Sequence, residues 1–161
     1  MKKLRIYLDT SVISYLDQQD APERMAETHQ LWERIKAGQF DVVISDVTVA
    51  EIMKCAPSKQ DMLFGYLGEI EYSKVEVEKD DAAIEIATRL VDLGVLHQKS
   101  YDDCQHIAAA ITSGSDVIVS WNFKHIVNHR TMMGVKAVTA LEGYDDLFIY
   151  TPPMLLGGEE K

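Results

Sequence analysis

Arg5-Ile6-Tyr7-Leu8-Asp9-Thr10-Ser11 is the stretch that decides the fold. A short apolar run ends there in a carboxylate followed by two hydroxyls, so a strand gives way to polar chemistry within one residue. In a parallel α/β sheet ligands bind beyond the carboxyl ends of the strands, and an acid at that boundary stands where a ligand would be. Seen alone, Asp9 is more simply the N-cap of the helix that follows, because Asp and Ser are favoured there.

The same punctuation recurs along the chain. Asp41-Val42-Val43-Ile44-Ser45 is a β-branched run of the kind a buried parallel strand shows, and Glu51 follows little more than a turn into the next helix, capped by Ser45 or Asp46. Asp116-Val117-Ile118-Val119-Ser120 repeats the pattern and leads at once into Trp121-Asn122-Phe123-Lys124-His125. Between these runs the apolar spacing predicts helices over residues 12–16, 22–35, 59–70 and 100–111, with Pro22 near a start, Gly38 just past an end and Pro57 closing the helix of Glu51. Asp80 and Asp81 cap a further helix that Gly94 stops, Val75-Glu76-Val77 alternates like a third strand, and residues 125–132 and 135–141 read as two more helices before a last strand over 147–150. Strands alternating with helices predict a three-layer α/β/α domain around a central, mainly parallel sheet. One domain over residues 1–154 is expected, with an irregular tail over 155–161 that includes Pro152-Pro153 at its approach.

A chain of 161 residues with 47% hydrophobic content can bury a core of its own. Cys55 and Cys104 form no CxxC pair and no long apolar run follows Lys2-Lys3, which predicts a reduced, cytoplasmic protein. No run approaches the roughly 18 apolar residues of a membrane span. The formal net charge of −10 weighs against bulk affinity for nucleic acid. Charges more than about 8 Å away are screened at physiological salt, however, so a local basic rim or bound cations can still hold a phosphodiester.

Asp9, Glu51 and Asp103 come from three helix starts at or just past strand ends or connecting loops, and the topology allows all three to face one crevice. Carboxylates gathered without compensation raise one another's pKa, so such a group is stable mainly when a cation shares it. Oxygen-only ligands favour Mg2+ or Mn2+ over zinc, and Asn122 or the hydroxyls of Thr10, Ser11 and Ser120 can supply neutral oxygens or orient water. A site of this kind activates water toward phosphorus, which points to metal-assisted phosphodiester hydrolysis.

The order Leu8-Asp9-Thr10-Ser11, then Val49-Ala50-Glu51-Ile52, then Asp103-Cys104-Gln105-His106-Ile107-Ala108, then Ser120-Trp121-Asn122-Phe123-Lys124-His125 resembles the PIN domain, and within it the VapC-type toxin ribonucleases, from about Ile6 to Pro153. The resemblance implies a PIN-like fold, Mg2+- or Mn2+-dependent cleavage of RNA, and Asp9, Glu51 and Asp103 as the acidic metal-binding core. It also implies a homodimer that acts as the toxin of a toxin–antitoxin pair, and a pI of about 4.9 suits a basic antitoxin. The chain departs from the pattern at the fourth position, where an aspartate is common and Asn122 stands instead. One negative charge fewer predicts one well-occupied metal, with Asn122 acting through its amide oxygen or through water. The competing function is a PIN-fold module that binds RNA or protein at a weakened metal site. An Asp-x-Asp phosphatase is disfavoured because Asp9-Thr10-Ser11 lacks the second aspartate.

Several of these residues have structural readings beside the functional one. Ser100-x-x-Asp103 has capping-box spacing, Asp102 is the neighbour most easily confused with Asp103, and His106 lies on the same helical face as Asp103, where it either orients that carboxylate or a phosphate or serves as a hydrogen-bonded core histidine. His125 and His129 are four apart but lack the Glu of a zinc-protease motif. Lys124, His125, His129 and Arg130 form the best basic cluster, suited to steering phosphate or to a solvated helix face.

Overall fold

The computed structural model of the chain describes residues 2–157. Its strands are β1 (Leu4–Leu8), β2 (Phe40–Ser45), β3 (Ser73–Val75), β4 (Val117–Val119) and β5 (Phe148–Tyr150). They form one sheet in the order β3-β2-β1-β4-β5, every neighbouring pair parallel. The chain builds outward from β1 to β3, then crosses back to lay β4 on the other flank of β1. The order therefore reverses between β1 and β4, and the connections leaving those two strands part company at their carboxyl ends. Leu8 is level with Val119 there, and the Asp9 N–H donates to the Val119 carbonyl at 3.1 Å.

Side chains alternate across the sheet, as the pleat requires. Tyr7, Val43 and Ile118 enter one core, whereas Ile6, Leu8, Val42, Ile44, Val117 and Val119 enter the other. The first core is closed by α5 (Asp81–Asp92), α6 (Tyr101–Thr112) and α7 (His129–Glu142), and the second by α1 (Thr10–Ser14), α2 (Pro22–Lys36) and α4 (Pro57–Leu67). Between them, α3 (Asp46–Ile52) caps the end of the sheet, giving Val47 to one core and Ile52 to the other. Among the described residues no helix is long and apolar enough to cross a membrane. Both cysteines are free, and burial pushes the Cys104 thiol up to about 12.

Local chemistry moves several boundaries away from those the sequence predicts. The third strand ends at Val75, because the Val77 N–H donates to the Asp46 carboxylate at 2.9 Å and a tight turn over Val77–Lys79 replaces further ladder. Pro57 opens α4 as its first residue, a position with no N–H to lose. Residues 125–128 are turns, and one helix, α7, replaces the two expected over 125–132 and 135–141. Asn128 caps it by accepting the Thr131 N–H at 2.8 Å. Thr151 caps a short helix α8 (Pro152–Leu155) where irregular chain is expected, and the rest of that tail from residue 158 lies outside the described residues.

Gly134 falls in the gap between the helices expected over 125–132 and 135–141, and it sits inside α7 for a packing reason. A Cβ built there would lie 2.5 Å from both methyl groups of Val95, a stiff β-branched side chain. Helix propensity favours Gly134→Ala by about 1 kcal/mol, whereas overpacking costs about 1–3 kcal/mol. The expected result is net destabilisation in urea unfolding, reversed in a Val95→Ala background; stabilisation by Gly134→Ala in the wild-type background would show that α7 does not press on Val95.

Candidate functional site

Asp9 follows β1 directly and is itself the N-cap of α1, so the capping and the chemical readings describe one side chain, and Thr10 and Ser11 lie inside the helix. One carboxylate oxygen accepts from the Ser11 N–H at 3.4 Å; the other accepts from the Ser11 hydroxyl at 3.0 Å and the Ser120 hydroxyl at 2.5 Å. Ser11 and Ser120 in turn accept the Trp121 and Asn122 N–H groups, each at 2.9 Å. The connections after β1 and β4 are thus laced together around a carboxylate that is 4% exposed.

Glu51 arrives from α3. Its Oε1 accepts from the Thr10 hydroxyl at 2.5 Å and meets His106 Nε2 at 2.7 Å. His106 is fully buried, and its Nδ1 lies 2.6 Å from the Tyr7 hydroxyl, which lies 2.7 Å from Ser45 Oγ. Burial alone would push the imidazole pKa down, but the Tyr7 oxygen, the Glu51 hydrogen bond and the charges of Asp9 and Glu51 hold it well above the ordinary value. The row runs unbroken from Ser45 through Tyr7 and His106 to Glu51, so every hydroxyl and ring nitrogen in it has a partner. Burial raises the Glu51 carboxyl, and the His106 and Thr10 hydrogen bonds more than reverse that, leaving it below the usual carboxylate value.

Asp103 stands in the first turn of α6. Ser100 precedes that helix with no side-chain cap bond, so the capping-box reading fails and the carboxylate is free for other partners. It takes His125 Nδ1 at 2.8 Å and, more weakly, the Asn122 amide at 3.4 Å. Burial, then the charge of Asp9, raises its pKa, and the two histidines offset this only in part. The Asn122 oxygen accepts the His125 N–H at 2.9 Å, which fixes the amide so that its nitrogen is the atom turned toward Asp103.

Asp9, Thr10, Ser11, Glu51, Asp103 and Asn122 line one open cleft of about 310 Å³, joined by Ser14. Ser120 and His106 support it from below rather than lining it. The donors are carboxylate, amide and hydroxyl oxygens, and the charge of Asp9 makes Asp103 harder to ionise. That chemistry fits a hard divalent cation. Among the described residues no three Cys, His, Asp or Glu side chains already form a metal shell of their own; the carboxylates are held by Ser120, His106 and His125 instead.

Lys124, His125 and Arg130 line a second pocket beside this cleft, whereas His129 starts α7 outside that lining. Tyr7 and Ser45 read in the sequence as core strand and helix cap; in the fold their hydroxyls join the His106 row. The signal for this is a Tyr hydroxyl and an imidazole each placed in an apolar run, which must satisfy each other when buried. Arg24 carries no such signal. Its guanidinium lies over the rings of Trp121 and Phe123, 5.3 and 4.9 Å from their centroids, at the rim beside Asn122.

The PIN domain family model matches residues 6–124. No curated protein matches the chain in sequence. Among solved structures, a chain from the crystal structure of VapBC2 from Rickettsia felis bound to a DNA fragment from their promoter is similar in fold. The TM-score is 0.59 at 16% identity, over 92% of this chain and 98% of that chain.

Proposed function

This chain belongs to the PIN domain family, and from that premise we propose that it is a divalent-metal-dependent endoribonuclease that serves as the toxin of a toxin–antitoxin pair. The observation that carries the reading is the convergence of Asp9, Glu51 and Asp103, each from a different helix, on one oxygen-lined cleft at the reversal point of the sheet. Asp9, Glu51 and Asp103 would hold Mg2+ or Mn2+, and Asn122 contributes through water because its amide oxygen is engaged by the His125 N–H. When bound, the cation lowers the pKa of an attacking water and stabilises charge developing on the phosphodiester.

The chain's own groups prepare that step. Ser11 and Ser120 fix both oxygens of Asp9, while His106 and Thr10 keep Glu51 ionised and pointed into the cleft. His125 and Asn122 orient Asp103, whose raised proton affinity suits a carboxylate that shares a cation or receives a proton from water. The net charge of −10 supports a basic antitoxin as the covering partner, and a homodimer working in the cytoplasm completes the reading.

Incubation of the purified chain with single-stranded RNA is expected to give fragments with Mn2+ and none after chelation. Calorimetric titration separates this from the competing function: failure to take up Mn2+ at millimolar concentration by folded protein would leave a PIN-fold binding module and sink the nuclease.

A further inference from the structure

The pocket beside the carboxylate cleft has a composition unlike the rest of this acidic protein. It encloses about 420 Å³, within the usual range for a small-ligand site. Its lining includes the buried apolar side chains of Val95 and Leu96 and the exposed cations Lys99, Lys124 and Arg130, with no carboxylate among its lining residues. In a chain with 26 acidic against 16 basic residues, that is a local reversal of charge.

The two pockets meet at one contact between their linings. His125 lines the basic pocket and its Nδ1 bonds Asp103 of the cleft at 2.8 Å, so a single hydrogen bond joins the cationic site to the carboxylates. The walls are braced: Arg130 donates to the Gly94 carbonyl at 2.8 Å, and the Thr131 hydroxyl donates to the His125 carbonyl at 2.7 Å. An apolar floor under a cationic rim matches the two halves of a nucleotide, a flat base and a phosphate.

We propose that this pocket is a nucleotide subsite, seating one nucleotide of a single-stranded RNA next to the bond being cut, its base over Val95 and Leu96 and its phosphate at Lys99 and Lys124. The assignment rests on the ribonuclease reading, since the contact with the carboxylate cleft through His125 and Asp103 is what favours RNA over an acidic peptide. It adds residues of the 95–100 segment, remote in sequence from the basic cluster around Lys124, to the substrate path.

The test is steady-state cleavage of an RNA of about ten nucleotides, a length that spans one such binding surface, by wild type and by Lys99→Glu/Lys124→Glu with Mn2+. The double variant is expected to raise KM about 10- to 100-fold at ~0.1 M salt while kcat holds, and to flatten the log–log salt dependence by about 0.7 for each phosphate no longer neutralised. Lys99→Arg/Lys124→Arg should restore wild-type behaviour, and an abasic site walked along the substrate should raise KM at one position near the cut. Cleavage with KM and salt slope unchanged by charge reversal overturns the subsite alone, and so does competition by polyglutamate equal to that by RNA of matched charge. Absence of cleavage by the wild type overturns the ribonuclease reading and the subsite with it.

Discussion

Replacing Asp9 with Asn should reduce RNA cleavage by about 10³-fold, equivalent to about 4 kcal/mol of transition-state stabilisation, the scale on which a bound cation acts on developing phosphoryl charge. The substitution is nearly isosteric, and Asn is as good an N-cap as Asp, so acceptance of the Ser11 N–H survives. The loss falls on the second oxygen, which accepts from the Ser11 and Ser120 hydroxyls in the residue that lines the cleft. An amide there makes a weaker cation ligand and forces Ser120 to turn its proton elsewhere. Cleavage kinetics and a melting curve on the same preparation separate the effects: activity should collapse while the folded state persists. Cleavage by Asp9→Asn within a few-fold of wild type would remove Asp9 from the metal site and leave it a helix cap.

The second large effect is on stability. His106→Ala is expected to cost about 3–5 kcal/mol, the scale on which a buried cavity and unmet hydrogen bonds add. The ring is fully buried, and its deletion leaves the Tyr7 hydroxyl and one hydrogen bond of Glu51 unmet and opens a void between β1 and α6. A domain of this size shifts about 2–4 °C per kcal/mol, so the melting temperature should fall by roughly 10 °C. Tyr7→Phe removes only the hydroxyl and should cost about 1–2 kcal/mol, a graded version that remains measurable if His106→Ala does not fold. If His106→Ala melts within about a degree of wild type, the row from Ser45 to Glu51 does not hold the two elements together.

Much of the candidate site is legible in the sequence because ligand-facing side chains in an α/β protein gather where strands end. Asp9 and Asn122 stand at the ends of β-branched or apolar runs, Glu51 follows one by little more than a helical turn, and Asp103 opens a helix, so reading punctuation is enough to bring them to one cleft. The supporting residues are less legible for the opposite reason. Tyr7 lies inside β1, where an aromatic residue reads as core, and only the buried histidine across from it gives the hydroxyl a purpose. Helical spacing pairs His106 with Asp103, yet the fold sends its Nε2 to Glu51 on another helix. The gap expected around Gly134 closes into one helix because a sequence does not show that Val95 packs against that position. The third strand is expected two residues late because Val75-Glu76-Val77 alternates like a strand, while the Asp46 side chain claims the Val77 N–H.

The sheet is bounded by β3 and β5, each only three residues long. Short margins of this kind are one of the ways proteins avoid joining sheet to sheet. Among the described residues, a further strand would find a free ladder of three residues on either side, the same length over which β3 and β5 themselves are registered. The backbone polarity that drives uncontrolled β-stacking is thus exposed over only a short length at each margin of the described sheet.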